Sequence, residues 1–275
     1  MQYTLAGIQS VATDDPERNL KHVVQLAQIA ATRGATIVLL PQLCTTPWFP
    51  AKVNGGVPLR SHEDALQRLR ECAQAHGIHL VAPMPERPQG DRDEWFNSAF
   101  VIGQDGELIG TYRKRYLPDL DGYREKAYFS PGTGPLPVFD LAGLRLGVQI
   151  CWDNYFPEGA RILALAGAQL IFAPTAAAFD SQQRWRALLC SHALCNNLYV
   201  FRLNRAGSEG TMEFYGQSFC VDPFGELVAE PAGPSEAIVM ATIDTDQVDE
   251  ARRITRFLAD RQPELYAPLA APTGG

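Results

Sequence analysis

Gly34-Ala35-Thr36-Ile37-Val38-Leu39-Leu40-Pro41 returns later in the chain as Gly167-Ala168-Gln169-Leu170-Ile171-Phe172-Ala173-Pro174, and this repeated stretch decides the fold. Each copy is a short apolar run between a glycine and a proline, the pattern of a strand buried on both faces. Two further motifs repeat in the same order around it. Gly7-Ile8-Gln9 pairs with Gly147-Val148-Gln149, and Gly106-Glu107-Leu108 with Gly225-Glu226-Leu227. The offset between copies shrinks along the chain, so the second half has the shorter connections. Three short motifs can recur in order by chance, because such strand endings are common; two similar α/β halves is the better reading.

Around the first copy the pattern is β-α-β. Residues 3–9 form a strand, 17–33 an amphipathic helix with Leu20, Val23, Val24, Ala27 and Ala30 on one face, and 36–40 a second strand. Asp15 precedes Pro16 as an N-cap before a first-turn proline. Strands are expected at 78–82, 99–103 and 108–112, the last two joined by the hairpin signal Gln104-Asp105-Gly106-Glu107. A helix is expected over 185–194, carrying Cys190 with Cys195 just beyond it on a different side, and a final helix over 244–258. The residues thus predict two mixed sheets packed face to face with helices outside. No Gly/Ser- or Pro-rich linker divides the halves, so 1–275 is taken as one domain with a tail over about 259–275.

Composition excludes several classes. The 275 residues are 46% apolar and 20% charged, ample for a packed core and too apolar for disorder. With 31 Asp and Glu against 24 Lys and Arg, the net charge is −7 and no dense basic run is present, which argues against nucleic acid. No apolar stretch is long enough for a membrane helix, and Met1-Gln2-Tyr3-Thr4-Leu5 lacks the features of a secretion signal; a cytoplasmic protein is expected. The six cysteines are then free thiols by default, and no C-x-x-C pair or histidine spacing suggests a metal.

Chemistry-bearing residues follow strand ends, where open α/β folds collect reactive groups. Cys151 lies in a tight strand-to-helix turn ahead of Phe156-Pro157-Glu158. There the positive helix end would favour a thiolate and adjacent backbone N–H groups would receive an oxyanion. The competing reading is a small buried hydrophobe. Lys114 follows another strand between Arg113 and Arg115, and such a lysine is usually solvated. Residues 118–126 form a loop long enough to be functional. Gln42 follows the strand of the first repeat, where a glutamine usually bonds the backbone.

These residues resemble the nitrilase, or carbon–nitrogen hydrolase, superfamily over nearly the whole chain. Leu40-Pro41-Gln42-Leu43 is similar to its first block, Tyr112-Arg113-Lys114-Arg115-Tyr116-Leu117-Pro118 to its lysine block, and Gly147-Val148-Gln149-Ile150-Cys151-Trp152-Asp153 to its nucleophile block. Tyr123-Arg124-Glu125-Lys126 resembles the segment carrying a second glutamate. The resemblance implies an α/β four-layer αββα sandwich of two mixed sheets with internal pseudo-symmetry. It also implies amide-type C–N hydrolysis with no metal or organic cofactor, and a homodimer or larger homo-oligomer in which the tail around Arg261-Gln262-Pro263-Glu264-Leu265-Tyr266 lies on the partner. A frayed tail is the alternative. Residue by residue, it places the nucleophile at Cys151, the lysine at Lys114, the second glutamate at Glu125 and the general base at Gln42. There this chain departs from the pattern, because the family has glutamate.

Glutamine nearly keeps the shape of glutamate but not its basicity. A group that accepts the thiol proton, donates to the leaving nitrogen and activates water contributes roughly 10² to 10⁴-fold or more. The pocket is therefore expected to bind amides and to turn them over slowly. Between Glu17 and Glu63 no acid is available to substitute. Two origins for Gln42 are open, a substitution made to stop turnover and natural divergence; retention of Cys151, Lys114 and Glu125 favours the first.

For substrate, Asp153 and the residues after it resemble the amidase and carbamoylase branches. His192-Ala193 with Asn197, and Phe214-Tyr215-Gly216-Gln217-Ser218-Phe219, resemble N-carbamoylputrescine amidases. Expected substrate contacts are Trp48, Tyr123, Trp152, Tyr155, Thr175 and Ala176, with Phe49 and the rest of the 176–179 stretch nearby; such aromatics are more often core. A small linear amide or N-carbamoyl amine fits. Alternatives are a non-hydrolytic amide-binding pseudoenzyme, a nitrile hydrolase, and a thiol-scaffold protein in which several cysteines react.

Overall fold

The computed structural model describes residues 1–53, 56–58, 62–88, 94–178 and 180–271. Its first sheet is built from β1 (Gln2–Gln9), β2 (Ile37–Leu39), β3 (His79–Glu86), β4 (Phe96–Ile102), β5 (Leu108–Arg113) and a late strand, β15 (Ala237–Asp244). Small ribbons pair β6 (Asp119–Leu120) with β7 (Tyr123–Arg124), and β12 (Ala206–Glu209) with β13 (Met212–Tyr215). The second sheet holds β8 (Val138–Leu141), β9 (Leu144–Val148), β10 (Leu170–Thr175), β11 (Tyr199–Asn204) and β14 (Phe219–Val221).

The two sheets have the same plan. The first runs β15-β1-β2-β3-β4-β5 and the second β8-β9-β10-β11-β14. In each, three parallel strands are flanked by antiparallel neighbours. The repeated motifs fall on equivalent strands, β1 with β9 and β2 with β10. The third pair marks the β4–β5 turn and the bridge Val221–Leu227 beyond β14. The halves are therefore related by an internal pseudo-symmetry, with the shorter connections in the second.

Alternation sorts side chains into layers. Leu5, Leu39, Val81 and Val101 of the first sheet join Leu146, Phe172 and Phe201 of the second in one core. Ala6, Ile8, Val38, Leu40 and Leu80 point the other way, onto α1 (Pro16–Thr32) and α2 (His62–His76). Leu163 of α3 (Pro157–Leu165) and Leu189 of α4 (Gln182–Asn196) cover the far side of the second sheet. The order helix, sheet, sheet, helix is the expected αββα sandwich. Asp15 caps α1 as expected, its carboxylate accepting from Glu17 N at 3.0 Å. The last helix, α5 (Thr245–Thr255), is shorter than 244–258.

Helix α2 and strand β3 depart further from the sequence reading. Helix α2 has no counterpart in it, because charged residues dilute the apolar face of Ala65, Leu69, Cys72 and Ala73. Strand β3 continues to Glu86 through Pro83 and Pro85, well past the expected end at 82. Its parallel partner β2 pairs only as far as Val81, so on that edge the prolines forgo no ladder bond. Cys44, Cys72, Cys151 and Cys220 are buried, Cys195 is exposed, and all six are unpaired. No helix among the described residues is long and apolar enough to cross a membrane.

The sheets pack tightly at Gly7, where a Cβ would lie 2.9 Å from both Leu203 Cδ1 and Phe201 Cζ. Gly7→Ala is expected to overpack this contact and cost about 1–3 kcal/mol, read as a lower urea midpoint with unchanged slope.

Candidate active site

Gln42, Lys114, Cys151 and Ala176 stand just beyond β2, β5, β9 and β10, and the fold brings these strand ends together. Gln42, Lys114 and Glu125 are wholly buried and Cys151 is 5% exposed. Glu125, from a 3-10 turn at Glu125–Ala127, anchors the cluster. Its Oε1 accepts from Lys114 Nζ at 2.6 Å and from Gln42 Nε2 at 3.2 Å, and its Oε2 accepts from Asn97 Nδ2 at 3.1 Å. An ionised carboxylate only accepts, so the Gln42 amide must turn its nitrogen inward. Gln42 Oε1 is left buried without a hydrogen-bond partner.

Cys151 takes a left-handed backbone conformation, φ 47°, unusual for a side chain with a Cβ and costing of order 1–3 kcal/mol. Here the structure corrects the expected strand-to-helix turn. A 3-10 turn, Cys151–Tyr155, intervenes, and α3 begins only at Pro157, so the charges facing the thiol come from side chains and not from that helix end. Burial raises the thiol pKa above its ordinary value. Lys114, the Ala176 backbone N–H and Arg202 pull it down, and Glu125 pushes it up. Burial lifts the Cys44 and Cys72 thiols too, to about 12 and about 11.

Two charged side chains clamp these strand ends, Asp153 and Arg205. Asp153 Oδ1 accepts from the backbone N–H groups of Arg115 at 3.2 Å and Tyr116 at 3.0 Å, directly after Lys114. Its Oδ2 accepts from Tyr112 Oη at 2.8 Å and from the backbone N–H of Ile150, directly before Cys151, at 2.9 Å. One carboxylate thus ties the lysine strand to the nucleophile strand. Burial raises its pKa to about 6, while Lys114 and the hydrogen bonds from Tyr116 N–H, Tyr112 Oη and Ile150 N–H oppose the rise. The second clamp is Arg205, paired with Glu209 at 2.7 Å, which donates to the carbonyls of Gln42 at 2.9 Å, Leu43 at 3.0 Å and Thr46 at 3.0 Å. It fixes the turn after β2, where Leu43 is also left-handed at φ 53°.

A small cavity opens over Cys151 and is lined by Pro118, Tyr123, Cys151, Trp152, Tyr155, Ala176, Ala177 and Trp185. Tyr123, Trp152, Tyr155 and Ala176 thus stand on its wall. Trp48 stands behind it, edge-on to Tyr123 with ring centroids 5.6 Å apart and its indole N–H given to the Gly122 carbonyl. The Thr175 hydroxyl turns to Leu203 O at 3.3 Å and Asn204 Oδ1 at 3.0 Å. Phe49 packs on Tyr128 and Phe129, and Phe179 lies outside the described residues. Ala177 belongs to the 176–179 stretch expected nearby, whereas Pro118 and Trp185 were not among the expected contacts. Trp185 is an ordinary apolar position of α4 in sequence, without a signal that it reaches the cavity.

Other motif residues serve the framework. A ring nitrogen of His192 meets Asn154 O at 2.7 Å, which fastens α4 to the nucleophile turn, and burial lowers its pKa. Asn197 is the left-handed cap of α4. Among the described residues no group of three or more His, Cys, Asp or Glu is placed to hold a metal ion.

Known proteins resemble this chain over nearly its whole length. Residues 4–253 match the family model described as carbon-nitrogen hydrolase. The chain is 34% identical to an N-carbamoylputrescine amidase from Solanum tuberosum, over 98% of this chain and 96% of that protein. It superposes on the crystal structure of a carbon-nitrogen hydrolase from Helicobacter pylori G27 with a TM-score of 0.93 and 29% identity, covering 98% and 99% of the two chains. A mutant of the amidase from Nesterenkonia sp. AN1, glutamate replaced by glutamine, carries the acetamide moiety of fluoroacetamide on its active-site cysteine. It matches with a TM-score of 0.83 and 31% identity, over 97% and 96% of the two chains.

Asp153→Asn is expected to leave two of the four donors facing an NH₂ group and to cost about 2–4 kcal/mol, read by urea unfolding. Because the Cys151 thiol titrates above its ordinary range, its thiolate fraction should rise tenfold per pH unit through neutrality. Site-resolved mass spectrometry of iodoacetamide labelling should show that slope at Cys151, with exposed Cys195 as internal reference. A rate flat between pH 6 and 8 would contradict it.

Proposed function

We propose that this chain, which belongs to the carbon–nitrogen hydrolase family, uses Cys151 to attack the carbon of a small linear amide or N-carbamoyl amine, and that Gln42 holds it short of turnover. The observation that carries this reading is the buried Lys114–Glu125 pair with Gln42 bonded to it, beside Cys151, which lines the cavity and faces the Lys114 charge.

In the forward reaction the Cys151 thiolate adds to the carbonyl carbon, and Lys114 stabilises the oxyanion that forms. Ammonia or an amine must then leave with a proton, and water must lose one to cleave the thioester. Gln42 can do neither, since its amide has no basic site near neutral pH and its nitrogen is already given to Glu125. Glu125 is engaged by three donors and Asp153 by four, so neither is free to serve instead.

A glutamate at position 42 would set carboxylate oxygens about 3.2 Å apart, where Gln42 Nε2 now faces Glu125. Two carboxylates so close cannot both ionise freely, and one would hold a proton near neutral pH, suited to act as acid and base in turn. The covalent adduct on the glutamine mutant of the Nesterenkonia amidase supports bond formation by the cysteine without that carboxylate. The orphaned Gln42 Oε1 also suits a pseudoenzyme that uses the pocket for binding alone.

Exposed Ile162 and Leu165 on α3, Leu194 on α4, and Phe257 and Leu265 beyond α5 support a homodimer joined through this layer and the tail, whose residues 272–275 lie outside those described. Six unpaired cysteines suit the cytoplasm.

Gln42→Glu is expected to raise kcat on a short primary amide or ureido substrate at least about 10³-fold, measured as released ammonia. Turnover within a few fold of the starting protein would exclude the general-base role of position 42. A restored enzyme that prefers nitriles would move the substrate class.

A further inference from the structure

Cys151 holds a left-handed backbone conformation that a residue with a Cβ keeps only where its surroundings forbid the alternative. Relaxing it to an ordinary negative φ would rotate the peptide groups on either side. Both are tied. The peptide before Cys151 is held through the Ile150 carbonyl, which accepts from Asp153 N at 3.1 Å. The peptide after it is held by Asn154, whose Nδ2 donates to Cys151 O at 3.0 Å and to Gln149 O at 3.0 Å. One side-chain amide thus bridges the residue that ends β9 and the nucleophile itself.

Asn154 is in turn held from α4. It is wholly buried, and its backbone carbonyl meets Nε2 of the buried His192 at 2.7 Å. A carbonyl only accepts, so Nε2 carries the proton; burial lowers the His192 pKa and keeps the ring neutral near pH 7. Trp185, Leu189 and His192 share the buried face of α4 at the i, i+4, i+7 spacing of one stripe. Trp185 is a wall of the Cys151 cavity. One helix face therefore meets the cavity and, two turns further on, the turn that carries the nucleophile.

Neither His192 nor Asn154 lines the cavity, so any effect they have on its chemistry passes through Cys151. What they control is where the thiol stands. In its present place it faces the Lys114 charge and the Ala176 N–H, with Glu125, Arg202, Tyr123 and Tyr155 as the other charged or titratable groups around it. A relaxed backbone would swing the Cα–Cβ bond out of that setting. Resting on the reading of Cys151 as nucleophile, we infer that His192 and Asn154 are positioning residues, a relay from α4 that locks Cys151 left-handed and presents its thiol to Lys114 and the cavity.

The test follows iodoacetamide labelling of each cysteine from pH 6 to 10 by site-resolved mass spectrometry, with buried Cys44, Cys72 and Cys220 as monitors of unfolding. His192→Leu and Asn154→Ala are each expected to slow the plateau rate at Cys151 at least about tenfold, and to move its midpoint up by about half a pH unit or more as the thiolate loses Lys114. The three monitors should stay protected. His192→Gln, whose side-chain N–H can reach the same carbonyl, should recover most of the loss. Leu189→Ala loosens the same helix without touching the turn and should leave the Cys151 profile in place. A plateau within about twofold of the unaltered protein in the loss variants overturns the inference, as does an equal shift in Leu189→Ala, which would make the effect one of packing. If Asn154→Ala unfolds, its monitors labelling like free thiols, the His192 pair decides alone, and equal rates in His192→Leu and His192→Gln overturn the relay. Cys151 labelling no faster than Cys44 and Cys72 in the unaltered protein overturns the nucleophile reading, and the inference with it.

Discussion

The ion pair between Lys114 and Glu125, 2.6 Å long and closed to solvent, sets the terms for everything around it. Two charges taken out of water cost several kcal/mol each unless every remaining polar atom is met. At the carboxylate the site meets that demand with neutral donors, while Gln42 Oε1 and Asn97 Oδ1 stay unpaired. Asn97 and Gln42 complete the Glu125 carboxylate, and Gln42 can do so only by turning its amide nitrogen inward. Position 42 is thus committed to the ion pair before any substrate arrives, which is why one oxygen replaced by nitrogen changes the chemistry while the shape stays.

Such a cluster needs a rigid frame, because its members come from strand ends of different sheets. Asp153 and Arg205 provide it by binding backbone and leaving the reacting groups free. Asp153 spans the peptide groups next to Lys114 and next to Cys151, and Arg205 spans three carbonyls of the turn after Gln42. Both turns contain left-handed residues, Cys151 and Leu43, conformations that persist only where the surroundings over-determine them. Rigidity here explains how strain can be stored at the nucleophile without a glycine.

Much of this was legible in the sequence and some was not, for physical reasons. Apolar runs between glycine and proline announce buried strands, so the repeat marks β2 and β10, and strand ends then point to Gln42, Lys114, Cys151 and Ala176. The four layers follow from period alone. Helix α2 escaped because charges interrupt its apolar face, and the end of β3 because prolines are tolerated once a neighbouring strand stops. The 3-10 turn after Cys151 escaped because Asp153, besides its local bond back to Ile150, is held by a long-range bond from Tyr112 of β5. Arg205 and Trp185 carry no local signal at all: a lone arginine reads as surface and a lone tryptophan as core until the chain is folded.

The internal repeat sharpens what the fold contributes and what it does not. Gln9 and Gln149 occupy equivalent strand ends, both are buried, and both spend their amides fastening the segment that crosses over them. Gln9 holds Ser218 and the carbonyls of Gly233 and Ser235, and Gln149 holds the carbonyl of Asp153. Two residues further on, the copies diverge, Val11 being 39% exposed where Cys151 is buried. Likewise Gln42 follows the proline of one copy, and Thr175, its hydroxyl tied to Asn204, follows the proline of the other. Symmetry therefore accounts for the crevice, and reactivity comes from breaking it. The nucleophile grows from the second half, its lysine and glutamate partners from the first half and the loop that follows, so the site forms only once the two halves pack together.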